Sequence, residues 1–189
     1  NFSLQKFETT IAQLEDQGKT VMILALDSTL VGLVAVADTL KEHSLEAIAQ
    51  FTSRKKEVVM ITGDNQRTAH AIAKQLGITQ VLAEVLPKEK AHMIKQLQEK
   101  GKKGAMIGDG INDAPALTQA DIGIAIGSGT DIAIESGDIV LVKDDLRDAV
   151  TALNLSKYCL RKIKQNLFWS FIYNIVMIPV AAGVLYPFT

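Results

Sequence analysis

Apolar residues recur at spacings of three and four over residues 4–17, at Leu4, Phe7, Ile11 and Leu14, which predicts an amphipathic helix ending near Gly18. The period then changes. Residues 20–26 and 30–37 are runs rich in Val, Ile, Leu and Ala separated by Asp27-Ser28, the pattern of two strands joined by a tight turn. Asp38-Thr39-Leu40-Lys41 interrupts the apolar run, and Ser44 stands where a helix carrying Leu45, Ile48, Ala49 and Phe51 needs a cap. From Glu57 onward, strand and helix patterns alternate: strand 58–61, helix 66–76, strand 80–83, helix 87–99, strand 104–107, a short helix opening at Pro115, strand 122–126, helix 131–135 and strand 139–142. These strands lack polar alternation, so both faces are covered, and the chain is expected to form an α/β fold with a parallel sheet and flanking helices. Right-handed crossovers then bring the carboxyl ends of the strands to one edge.

Residues 146–165 continue without a helix breaker into residues 167–185, an uncharged apolar run of the length a bilayer core requires. The expectation is a long helix entering the membrane; a buried globular helix is the alternative. Lys157, Arg161, Lys162 and Lys164 precede the run and place that flank on the cytoplasmic side, with Trp169 and Tyr186 suited to the two interfaces. Pro179 and Gly183 permit a bend. Polar side chains are costly in such a span, which singles out Asn174, then Tyr173 and Ser170, against the alternative of interhelical packing contacts.

Composition narrows the function. A formal net charge of -1 leaves no basic surplus for a nucleic acid, so none is expected as a partner. The single cysteine, Cys159, excludes an internal disulfide framework. The three histidines, His43, His70 and His92, have no metal-binding spacing, and Asp144-Asp145 reads as a solvated turn. No signal peptide or initiator Met opens the chain, so it is expected to begin inside a longer polypeptide.

The candidate chemistry lies at the strand ends, where open parallel sheets bind their ligands. Strand 104–107 leads into Gly108-Asp109-Gly110-Ile111-Asn112-Asp113-Ala114-Pro115, a loop not expected to turn helical before Pro115. Carboxylates at Asp109 and Asp113 suit a hard divalent cation, and magnesium typically takes one or two carboxylates, waters and a substrate phosphate. A plain turn rich in Gly, Asn and Asp is the alternative. Strand 58–61 runs into Thr62-Gly63-Asp64-Asn65, which offers a hydroxyl, a backbone N–H without a Cβ beside it and a following helix N-terminus, all suited to a phosphoryl group. Lys90, on the helix opened by Pro87, can neutralise charge on such a group, although a lone lysine on a helix rich in Lys and Glu is ordinarily solvated.

Taken in order and spacing, Thr62-Gly63-Asp64-Asn65, Pro87-Lys88-Glu89-Lys90 and the stretch from Gly108 to Pro115 resemble three signatures of the phosphorylation domain of P-type ATPases, a haloacid-dehalogenase-like fold. The resemblance implies that Asp109 holds the catalytic magnesium with Asp113 beside it. Thr62, Gly63, Asp64, Lys90 and Asn112 make up the remaining catalytic set. It divides the chain into the end of a nucleotide-binding domain (1–37), a phosphorylation domain (38–145), a linking helix (146–166) and a transmembrane helix (167–185). Asn166 to Asn174 resembles the copper-transporting branch, where the pair matching Tyr173 and Asn174 belongs to the transport site; Ser170 departs mildly from that pattern. Copper(I) prefers sulfur, so softer ligands are expected on helices outside this chain. The absence of Lys from the apolar run counts against the zinc and cadmium branch.

The same resemblance implies Mg2+ and ATP as cofactors and Cu+ as the transported ion. It implies export through an aspartyl-phosphate intermediate, within a multi-pass membrane protein whose phosphorylation domain is cytoplasmic. Implied partners are upstream and downstream parts of the same polypeptide, the lipid bilayer and a copper chaperone. The family's nucleophilic Asp-Lys-Thr-Gly-Thr is absent from these residues, and neither Asp27 nor Asp38 is followed by Lys-Thr-Gly. The chain alone is therefore not expected to turn over ATP. A soluble phosphatase of the same superfamily and a non-catalytic membrane-anchored module are the alternatives.

Overall fold

A computed structural model of the protein describes residues 7–27, 29–109, 111–127 and 135–183. Helix α1 (Glu8–Glu15) leads into an antiparallel ribbon of β1 (Lys19–Leu26) and β2 (Thr29–Ala37), in register from Lys19↔Ala37 to Leu26↔Thr29 with an irregularity at Leu24/Ala25. Two strands rarely stand alone in water, and Met22, Leu24, Leu26 and Val31 are exposed on this ribbon. Its base is secured to the next layer, where the Thr68 hydroxyl donates to the Lys19 carbonyl oxygen at 3.0 Å.

Helix α2 (Ser44–Ser53) departs from the expected cap. Ser44 is the first helical residue and is buried, while His43, at φ 65, occupies the cap position without a capping side-chain hydrogen bond. The Ser44 N–H donates to the Lys41 carbonyl at 3.2 Å, and this turn draws the serine inward, away from the capping position.

The alternating region forms β3 (Val59–Ile61), α3 (Gln66–Leu76), β4 (Gln80–Leu82), α4 (Pro87–Glu99), β5 (Ala105–Gly108), a 3-10 turn (Ile111–Asp113), α5 (Ala114–Gln119), β6 (Ile122–Ile126) and β7 (Ile139–Leu141). Local chemistry sets these bounds. Asn65 caps α3 by accepting from the Thr68 N–H at 2.9 Å, and Gly77 ends it at φ 72, a left-handed conformation that glycine adopts without strain. Pro87 opens α4, where Glu89 accepts from the Leu86 N–H at 3.1 Å. The loop after β5 turns helical earlier than expected, through the 3-10 turn, and α5 starts one residue ahead of Pro115. Most of the helix expected over 131–135 falls outside the described residues.

All strand pairings in this region are parallel, in two groups: β3 with β4, and β5 with β6 and β7. Among the described residues, β3 and β5 each pair along one side only. Leu117 of α5 packs on Ala125 of β6 and Met106 of β5, while Ile124, Leu141 and Ala149 pack with Phe51 and Ile107. Gly123 permits the close approach of α5, since a Cβ there would lie 2.7 Å from the Leu117 carbonyl oxygen.

The chain divides into two compact units, residues 1–149 and 150–189. Helix α6 (Arg147–Ala181) is 35 residues long and contains Pro179. Among the described residues, no helix is long and apolar enough to cross a membrane; residues 184 and 185 of the membrane helix expected over 167–185 lie outside the described residues. The helix ends at Ala181, so its apolar part, residues 167–181, spans about 22 Å against a hydrocarbon core of about 30 Å. Any longer helical window reaches back into Lys164, Gln165 and Asn166. Phe168, Trp169, Phe171, Ile175 and Ile178 are exposed along it.

Asp145 precedes α6 and accepts from the Arg147 guanidinium at 2.7 and 3.0 Å and from the Arg147 N–H at 2.9 Å. The guanidinium first, and then the backbone N–H, hold its carboxyl well below the ordinary 3.8, at about 2. A carboxyl depressed in the folded state stabilises fully above its unfolded pKa and loses that contribution as pH falls through the folded one. Asp145→Asn is expected to lower the melting temperature at pH 7 and to flatten its decline between about pH 5 and 2, read by circular-dichroism melts across pH.

Candidate functional site

Strand β5 ends at Gly108, and the 3-10 turn that follows folds the Asp113 side chain back over that glycine. A Cβ on Gly108 would meet the Asp113 Cβ at 2.7 Å and its Oδ2 at 2.9 Å, so only glycine leaves room for the carboxylate here. From α4, Lys90 Nζ reaches Asp113 Oδ1 at 2.6 Å, with side chains only 15% and 13% exposed. Charges so far out of water persist only when closely paired, and this pair ties α4 to the end of β5.

Asp109 lies on the open side of the same turn. Lys41 Nζ stands 3.2 Å from its Oδ2 and 2.6 Å from Asp144 Oδ1. Burial alone would lower the Lys41 pKa, but the hydrogen bonds and charges of Asp144 and Asp109 outweigh it, and the net shift is upward. Sequence reasoning missed both neighbours. Lys41 was visible only as part of a connecting segment, whereas Asp144 could have been found by the rule that singled out Asp109, since it follows β7 on the carboxyl side of a parallel group.

At the end of β3, the Thr62 N–H donates to the Leu82 carbonyl at 2.9 Å, and the Thr62 carbonyl accepts from the Val85 N–H at 3.0 Å. The Glu84 N–H donates to the Asp64 carbonyl at 2.9 Å, so the loop after β4 brackets the turn. The Thr62 hydroxyl donates to Asp64 Oδ2 at 2.8 Å and accepts from the Asp64 N–H at 3.2 Å. Gly63 is exposed between them. Asn65 is occupied with capping and with Glu15, to which its Nδ2 donates at 3.1 Å. The bracketing loop runs directly into α4 and Lys90, so the two turns are joined through one connection.

The structure therefore brings Lys90 and Asp113 together, Thr62 with Asp64, and Asp109 with Lys41 and Asp144. No described hydrogen bond or ion pair links the second group directly to the first. Asn112 stands exposed in the 3-10 turn. Cavities of about 230 and 220 Å3, lined respectively by α6 residues and by Thr52, Glu57, Val58 and Ile78 among others, lie away from these residues, and the site is an open edge. Among the described residues, no cluster of three or more His, Cys, Asp or Glu could cage a metal. Asp109 and Asp113 are a hard-oxygen pair of the kind magnesium uses while keeping several waters.

In the second unit, Asn174 Nδ2 donates to the Ser170 carbonyl at 2.9 Å, within its own helix. Tyr173 lines the 230 Å3 cavity with Trp169, Ile172, Val176 and Met177. Met177 puts a thioether one turn from Tyr173, a soft group on this helix that reasoning from Tyr173 and Asn174 alone overlooked.

A parallel sheet with carboxylates and a lysine at its strand ends is the architecture of haloacid dehalogenase-like hydrolases. The model of that family matches residues 2–121, and the chain belongs to it. Over 180 residues, 95% of its length, the chain is 53% identical to a probable copper-exporting P-type ATPase of Archaeoglobus fulgidus, of which it spans 22%. It is 52% identical to a probable copper-importing P-type ATPase A of Enterococcus hirae, the match covering 99% of this chain and 26% of that one. A crystal structure of a zinc-transporting PIB-type ATPase in an E2.Pi state superposes with a TM-score of 0.79 at 36% identity, over 96% of this chain and 30% of that one. The chain thus spans about a quarter of the length of these curated relatives.

Gly108→Ala is expected to force the Asp113 carboxylate off its place and to stretch the pair with Lys90. Overpacking of this kind costs about 1–3 kcal/mol, measurable by denaturant unfolding. Wild-type stability in the variant would contradict the close approach.

Proposed function

We propose that this chain is the phosphorylation-domain region of a heavy-metal P-type ATPase that exports copper(I). The observation that carries this reading is the Lys90–Asp113 pair set against Gly108 at the carboxyl end of β5, with Asp109 next in the chain. A strand laid between β3 and β5 would join the two parallel groups into one sheet, with its carboxyl end between Thr62 and Asp109. A nucleophilic Asp at the end of such a strand, supplied from upstream in the intact polypeptide, completes the site.

In this reading, that Asp attacks the γ-phosphorus of ATP, the bond to the β-phosphate oxygen breaks, and ADP leaves. Asp109 and Asp113 would hold Mg2+, which would supply charge neutralisation for the transferring group when bound. Lys90, fixed by Asp113, presents its ammonium to a phosphoryl oxygen, while the Gly63 N–H and the Asn112 amide donate to others. Asp64 orients the Thr62 hydroxyl. Donors of this kind are worth about 10²–10³ in rate each when they are preorganised.

The exposed apolar faces support the remainder of the reading. The β1–β2 ribbon suits the closing strands of a nucleotide-binding domain. The apolar side chains of α6 suit burial among other membrane helices and lipid, with Tyr173 and Asn174 lining the path of the transported ion and a copper chaperone delivering it. The relatives named for copper favour that ion, and the zinc-transporting structural neighbour names the competing one.

In the intact polypeptide, Asp109→Asn is expected to lower phosphoenzyme formation by at least about 10²-fold with ATP affinity changed far less, measured by acid-stable phosphate incorporation at varied magnesium. Normal incorporation with unaltered magnesium dependence would overturn the assignment. Asn174→Ala is expected to reduce copper(I)-stimulated turnover at matched protein level. An interhelical packing role worth about 0.6 kcal/mol would instead lower stability slightly and leave the metal response intact. Activation by zinc(II) and not by copper(I) or silver(I) would overturn the choice of metal.

A further inference from the structure

Lys41 bridges two carboxylates that come from different strand ends. Its ammonium lies 2.6 Å from Asp144 Oδ1 and 3.2 Å from Asp109 Oδ2, the second on a carboxylate proposed above to hold magnesium. The lysine stands in the segment between β2 and α2, 68 residues before Asp109 and 103 before Asp144, so the bridge joins three separate parts of the chain. An ammonium and a hydrated magnesium ion are both hard cations seeking the same carboxylate oxygens, and two cations crowded at one carboxylate repel each other. Asp144 gives the lysine an alternative anion within reach of a small side-chain movement, on a stem that is 34% exposed and free to shift.

We infer that Lys41 is the counter-cation of Asp109 while magnesium is absent, and that metal binding displaces its ammonium onto Asp144. Lys41 is thus a positioning residue. It keeps the Asp109 carboxylate aimed at the open edge before the metal arrives, and afterwards it reports the metal's presence to the segment on which it is carried. Linkage makes the coupling reciprocal: whatever holds residues 38–43 away from Asp109 favours the metal, and whatever presses them toward it disfavours the metal. The inference rests on the reading of Asp109 as a magnesium ligand.

The test is titration of the 189-residue chain in detergent with magnesium chloride alone, following backbone amide shifts and fitting the dissociation constant for wild type, Lys41→Gln, Lys41→Arg, Asp144→Asn and Asp109→Asn. Removing the competing ammonium should tighten magnesium binding about three- to tenfold, because the competent carboxylate is no longer occupied part of the time. Lys41→Arg, whose guanidinium can fork onto one carboxylate, should weaken it. Asp144→Asn should also weaken it by leaving the lysine only Asp109, and that weakening should largely vanish in the double variant with Lys41→Gln. The Leu40, Lys41 and Glu42 amides should shift with magnesium in wild type and not in Asp109→Asn. Unchanged or weaker binding in Lys41→Gln, or equal effects of Asp144→Asn in both backgrounds, overturns the exchange while leaving the Asp109 assignment standing. Unchanged binding in Asp109→Asn overturns that assignment and the inference with it.

Discussion

Lys90 and Asp113 form an ion pair largely withdrawn from water, and the geometry of the strand-end edge depends on it. Removing either partner would leave the other charged and unmatched, at a cost of about 3–5 kcal/mol. The pair also explains a glycine, because the Asp113 carboxylate can reach Lys90 only by lying against the Gly108 backbone. From this contact the constraint spreads outward. Helix α4 is fixed over the edge, the loop before α4 brackets the Thr62 turn, and Asp109 is left facing the open side, where Lys41 meets it.

The second constraint is the divided sheet. Parallel strands bury both faces, and here they stand in two separate groups, with β3 and β5 each pairing along one side among the described residues. Asp64 and Asp109 follow the carboxyl ends of these two strands. In the proposed function, one inserted strand satisfies the unpaired backbone and delivers the nucleophile, so fold completion and catalytic completion are the same event. The lysines at this edge then divide the work. Lys90 is held in place by a largely buried aspartate, while Lys41 has two exposed aspartates to choose between.

Much of the α/β region was legible because its punctuation is local. Asn65, Gly77 and Pro87 mark helix ends by capping and dihedral preference, and those bounds match the structure. The strand-end rule singled out Thr62 and Asp109 for the same reason, and they directly follow the last residues of β3 and β5. What the sequence concealed is long-range or cooperative. No local pattern announces that Lys41 reaches Asp144 across 103 positions. Ser44 looks like a cap, but the turn from Lys41 buries it. The apolar run 167–185 suggested a membrane crossing by its length, yet hydropathy does not say where the helix stops, and it stops at Ala181. Nor does an alternating pattern of strands reveal that, among the described residues, they pair in two separate groups.

The central claim is that Asp109 and Asp113 form a divalent-cation site at an edge shared with Lys90 and the Thr62 turn. Manganese(II), which substitutes for magnesium and broadens nearby amide resonances, tests it directly on the isotopically labelled chain. Broadening should be strongest at residues 108–113, weaker at 62–64 and 90, and absent in Asp109→Asn. Broadening centred on another acidic group, such as Glu15 and Asp16, and undiminished in that variant would contradict the account.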